Sequence, residues 1–62
     1  MSQADPLDTP AQVAEHLGVP EKTLAQWRYK GRGPRYFRVG KHVRYRRADV
    51  EKWLEQQQAV PA

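Results

Sequence analysis

Apolar residues recur along this 62-residue chain in two different rhythms. Between Pro10 and Leu17, Val13, Ala14 and Leu17 fall on one face of a helix. Thr9 is placed to cap that helix, Pro10 suits its first position, Gln12 can complete a capping box, and Gly18 suits the left-handed residue that stops it. Val19 and Pro20 make a very short connection. Leu24 and Trp27 then mark the buried stripe of a second helix from Glu21 to about Lys30, ended by Gly31. Two helices joined by a short turn containing glycine predict a helix-turn-helix, although length and turn alone would suit a generic helical hairpin equally well.

Beyond the breaker Arg32-Gly33-Pro34 the rhythm changes to period two. Phe37 and Val39 alternate with Arg38, and Val43 and Tyr45 alternate with Arg44 and Arg46, with Gly40 in the turn between them. This predicts a β-hairpin with its apolar residues on one face and its arginines on the other. A third helix follows, with Asp49 and Glu51 in its first turn and Val50, Trp53 and Leu54 as its buried stripe. The predicted order is α-α-β-β-α: mainly α with a small β-hairpin, in a single domain over 7–57. A loose arm is expected over 1–6 and a frayed tail over 58–62. Trp27 and Trp53, at helical core spacing, are read as core anchors, because so short a chain needs large side chains to offset the entropy of ordering.

Charge sharpens the picture. Nine of the 11 Lys and Arg residues lie between Arg28 and Arg47, and all seven acids lie outside that stretch. A field of one sign over one region is the footprint of polyanion binding, whereas ordinary solvated surfaces mix signs. With no cysteine there is no disulfide framework and no thiolate zinc site. His16 and His42, on separate elements, are too few for a metal site, and Ser2 is the only serine, in the loose arm. Gly31 and Gly33 lack the pattern of a phosphate-cradling loop. The reading is therefore a non-enzymatic protein without metal or cofactor. The absence of a membrane-length apolar run and of a signal segment gives the expectation of a cytoplasmic protein that does not engage membranes.

Helix geometry then proposes the contacts. At 100° per residue from Leu24 and Trp27, Lys22, Ala25, Gln26 and Tyr29 point outward, flanked by Thr23 and Lys30. A helix fits the major groove, where Gln can bond adenine in two places, Lys can reach guanine or phosphate, and Thr can meet phosphate or a thymine methyl. The candidate reading residues are Lys22, Thr23, Gln26, Tyr29 and Lys30. Tyr29 and Tyr36 admit either surface covering or a phosphate contact. The hairpin supplies a second set, Arg38 and Arg44 with Lys41 and His42 at the tip, directed at the minor groove or phosphates. An RNA-binding or general polyanion module is the rival reading, but the chain lacks the exposed aromatic platform that single-strand binders use.

From Leu7 to Leu54 the chain resembles the excisionase-type helix-turn-helix domains, related in fold to the DNA-binding heads of MerR regulators and to AlpA-like phage regulators. The residues that carry the likeness are Ala14-Glu15-His16-Leu17-Gly18-Val19 leading to Thr23-Leu24, Trp27-Arg28, Gly33-Pro34, Phe37-Arg38-Val39-Gly40 through Val43-Arg44-Tyr45, and Arg47-Ala48-Asp49-Val50-Glu51-Lys52-Trp53-Leu54. The resemblance implies a winged helix-turn-helix whose helix at Glu21 to Lys30 enters the major groove and whose wing at Arg38 to Arg44 reaches the minor groove of double-stranded DNA. It also implies a phage or mobile-element excisionase that binds and bends attachment-site DNA, associates with itself along the duplex and directs an integrase toward excision. A small transcriptional regulator of phage or plasmid genes is the alternative. Only about eight residues follow the third helix, too few for the coiled coil or effector domain of a MerR-type regulator, which favours the excisionase. Pro20 and Ala48 depart from the pattern, since many relatives carry a capping Ser or Thr there.

Overall fold

The computed structural model describes residues 7–58. The expected arm over 1–6 and the tail beyond Gln58 lie outside the described residues. The order of elements is β1 (Leu7–Asp8), α1 (Pro10–Leu17), α2 (Glu21–Tyr29), β2 (Phe37–Val39), β3 (His42–Arg46) and α3 (Arg47–Gln56).

Both ends of α1 form as the sequence demands. The Thr9 hydroxyl accepts from the Gln12 amide at 3.1 Å, and the Gln12 side chain accepts from the Thr9 amide at 2.9 Å, a reciprocal capping box. Gly18, at φ 74°, closes the helix while the Val19 amide reaches back to the Ala14 carbonyl. Helix α2 ends the same way. Gly31 takes φ 72°, and the amides of Gly31 and Arg32 bond the carbonyls of Arg28 and Trp27. Its start is bare, because Pro20 occupies the cap position and offers no side-chain bond. The same is true of α3, but there the cap is Arg46. Ala48 is thus already inside the helix, so the cap sought at Ala48 falls two residues earlier. Strand β3 runs into α3 without a linker.

The three strands form an antiparallel sheet in the order β1-β3-β2. Strand β1 is too short for any alternation to be legible in sequence. Pairing places Leu7 opposite Arg46 and Asp8 opposite Tyr45. The Asp8 carboxylate accepts from the Arg47 guanidinium at 2.6 Å, Arg47 also lies 3.3 Å from Nδ1 of His16, and His16 Nε2 pairs with Glu51. One imidazole tautomer, protonated at Nε2, serves both neighbours. This chain of groups ties β1, α1 and α3 together. It also corrects the placing of Glu51, which lies past the first turn and pairs with His16, leaving Asp49 as the acid of that turn.

Val13, Ala14, Leu24, Tyr45 and Val50 form the core. Trp27 packs against that core from its rim, and its ring lies 5.4 Å from that of Trp53, so the two indoles make a half-buried pair joining α2 to α3. The central anchors expected of Trp27 and Trp53 are instead Tyr45 and Leu24, both fully buried. Leu54, expected on the buried stripe, is 41% exposed, because the ten-residue α3 presses only Val50 fully inward.

Candidate nucleic-acid interface

The two helices of the motif pack on each other, while the sheet packs against α1 and α3. With Leu24 turned into the core, α2 presents Lys22, Ala25, Gln26, Tyr29 and Lys30 to solvent, Tyr29 at 91% exposure. Thr23 is half-buried at the edge of that face. The outward surface therefore carries two ammonium groups, an amide and a phenol. Glu21, the one acid of the helix, sits at its first position, where the helix dipole favours it.

The hairpin differs from the sequence expectation in one respect with consequences. Val39 pairs with His42, Arg38 with Val43 and Phe37 with Arg44, so only Gly40 and Lys41 form the turn. Gly40, at φ 63°, occupies the first turn position, the place a two-residue type II′ turn reserves for glycine. Directly paired residues of antiparallel strands lie on the same face of the sheet. Phe37 and Val39 therefore share a face with His42, Arg44 and Arg46, and Arg38 shares the other with Val43 and Tyr45. The expected division into an apolar face and an arginine face would have needed a three-residue turn with His42 at the tip. A one-residue shortening of the turn inverts one strand relative to the other.

Consequently Arg38 and Arg44 stand on opposite faces of the wing. The Tyr45 hydroxyl accepts from Arg28 of α2 at 2.9 Å, so the face that Arg38 shares with Tyr45 is the one turned toward α2. Arg44, on the far face, is half-buried and donates to the Val43 carbonyl at 2.7 Å. Phe37 on that far face is flanked by cations, with the Arg46 guanidinium 4.7 Å and the Arg35 guanidinium 5.9 Å from its ring centre. Arg38, Lys41 and His42 are exposed. Val39, at 51% exposure, is apolar surface near the tip.

The basic tract divides by what its members touch. Arg28, Arg44, Arg46 and Arg47 spend their guanidinium groups on protein partners. Among the described residues, Lys22, Lys30, Arg32, Arg38 and Lys41 make no side-chain hydrogen bond, ion pair or ring contact. These five follow one another from α2 through the intervening loop to the wing. Charge counting in the sequence identified the region, but it could not separate free cations from structural ones, because their partners are distant along the chain.

No group of three or more His, Asp or Glu side chains is arranged to hold a metal ion among the described residues, and no helix there is long and apolar enough to cross a membrane. The architecture of three helices with a three-stranded antiparallel sheet is that of a winged helix-turn-helix. No curated protein matches the sequence closely enough to count as a relative. A family model described as a helix-turn-helix domain matches residues 9–58, from the Thr9 cap to two residues past α3. Domains of this kind bind double-stranded DNA sequence-specifically and are typically non-enzymatic. The matched span contains the two-helix motif, the wing and the run of free cations, and the chain belongs to the helix-turn-helix domain family.

Proposed function

We propose that this protein is an excisionase: it binds and bends attachment-site DNA of a phage or mobile element, associates with itself along the duplex and directs an integrase toward excision. In this reading α2 lies in the major groove, with Gln26 reading a base edge, Lys22, Thr23 and Lys30 meeting bases or phosphates, and Tyr29 covering the backbone. The wing enters the adjacent minor groove tip first. Its two faces then meet the two walls of the groove, Arg38 on one side and His42 on the other, with Lys41 at the tip, while Arg44, bonded to the Val43 carbonyl, backs the His42 wall without a phosphate contact of its own. The observation that carries the reading is the exposed, carboxylate-free outer face of α2 beside a wing whose free cations continue the same basic surface. The resemblance at Leu7 to Leu54 supports the excisionase role. A small transcriptional regulator uses the same surface, and what separates the two is the partner.

Footprinting on attachment-site DNA, with and without the neighbouring integrase, tests this. The expected result is protection of adjacent sites and a gain in affinity when integrase is present. Protection of a promoter with no response to integrase would favour the regulator. Replacing Gln26 with alanine should change sequence preference, whereas Lys41→Ala should weaken all duplexes alike. Unchanged preference in the Gln26 variant would remove α2 as the reader.

A further inference from the structure

Arg28 sits in the last turn of the helix assigned to DNA and opens the basic tract, yet it is built into the protein rather than turned out of it. It lies one helical turn beyond Leu24, on the inward side, and is half-buried. Its guanidinium donates to the hydroxyl of Tyr45 at 2.9 Å and stands 5.9 Å from the ring centre of Tyr36. Tyr36 and Tyr45 are themselves 6.1 Å apart, centre to centre. Tyr45 is fully buried, so its hydroxyl requires a partner, and Arg28 is that partner. The packing of the sheet runs mainly to α1 and α3. Among the described residues, the side-chain hydrogen bond that joins α2 to the wing strand is this arginine's.

We infer that Arg28 is a positioning residue for DNA recognition: its bond to Tyr45 fixes the angle of the reading helix relative to the wing. The inference rests on the reading above, in which helix and wing engage one duplex together. Strand β3 carries Tyr45 in the core and Arg44 and His42 toward the tip, and Arg38 is paired beside it. A rotation of α2 that separated Arg28 from Tyr45 would move the reading face against the wing and spoil simultaneous engagement. A guanidinium suits the task because its planar fork can donate to a hydroxyl while one face stays against a ring, which a lysine ammonium cannot reproduce.

The test compares Arg28→Met, Arg28→Lys and Tyr45→Phe with the wild type. Each is measured well below its own melting temperature, on the tightest duplex from a random-sequence selection and on a scrambled duplex, over a salt series. Tyr45→Phe keeps the buried ring and removes only the hydroxyl. The expected result is a fall in discrimination between the two duplexes of about ten-fold in all three variants, the scale of one lost charge-assisted hydrogen bond. Combining Arg28→Met with Tyr45→Phe should add little further, and the salt slope on the scrambled duplex should stay unchanged. A merely structural contact would lower the melting temperature and leave discrimination intact. A phosphate contact would be rescued by lysine, untouched by Tyr45→Phe, and lost in Arg28→Met with the slope shallower by about 0.9. Either pattern overturns the inference and leaves the DNA-binding reading standing, whereas a wild-type protein that bound no duplex would overturn both.

Discussion

The division of the basic tract into free and engaged cations makes the salt dependence of binding a quantitative test. Each phosphate neutralised by a Lys or Arg releases condensed counterions, so log K falls with log salt at a slope of about −0.9 per contact on B-DNA. Lys22, Lys30, Arg32, Arg38 and Lys41 are the cations of helix, loop and wing without a protein partner among the described residues. If all five meet phosphates, the slope is about −4.5. Raising salt from about 0.1 to about 0.3 M then weakens binding by roughly 100-fold, close to 3 kcal/mol. Fluorescence anisotropy of a labelled duplex in a potassium chloride series reads this directly. Lys41→Ala should make the slope shallower by about 0.9, and Lys52→Ala, on the exposed side of α3, should leave it alone. A slope flatter than about −2 would refute the groove geometry. A slope near −8 would refute the sorting of cations, since guanidinium groups held by Tyr45, Val43 and Asp8 would then have to leave those partners.

Two further outcomes concern stability. Leu24→Ala removes a fully buried side chain and should cost about 2–5 kcal/mol, a large part of the roughly 3–9 kcal/mol expected for a domain of this size, whereas Leu54→Ala should shift a thermal melt by little because that side chain is 41% exposed. Equal destabilisation by the two would contradict the placement of the core. Gly33→Ala should also lower the melting temperature, by more than Gly40→Ala. Gly33 has φ 86° and an added Cβ would stand 3.0 Å from the Trp27 ring, while at Gly40 it would meet open space. A reversed order in thermal melts would show that the loop does not rest on Trp27.

Much of the fold was legible from residues that act locally. Thr9, Gln12 and Gly18 bracket α1 because capping is decided within four or five positions, and Gly31 closes α2 for the same reason. The outward face of α2 followed from helical rotation once Leu24 was taken as buried. What escaped the sequence depends on partners far away along the chain. Strand β1 has only two residues and is defined by its pairing with Tyr45 and Arg46. The faces of the wing turn on whether His42 belongs to the turn or the strand, and alternation of Phe37, Val39, Val43 and Tyr45 reads the same in either case. The depth of Trp53 and Leu54 is not legible in the spacing, because α3 buries only Val50 fully in the core rather than a continuous stripe.

The pairing of Leu7 and Asp8 with Arg46 and Tyr45 has a bearing on how the molecule comes into being. A ribosome delivers the first strand long before its partner, so the helical pair can form early while the sheet waits for nearly the whole domain to emerge. Until that moment Leu7 and Asp8 have no partner, and a tag fused close to Leu7 would compete with them for the edge of β3 at Tyr45 and Arg46. Closure of the sheet is therefore a late step in biosynthesis, and the amino-terminal junction is the one to treat with care when the protein is produced.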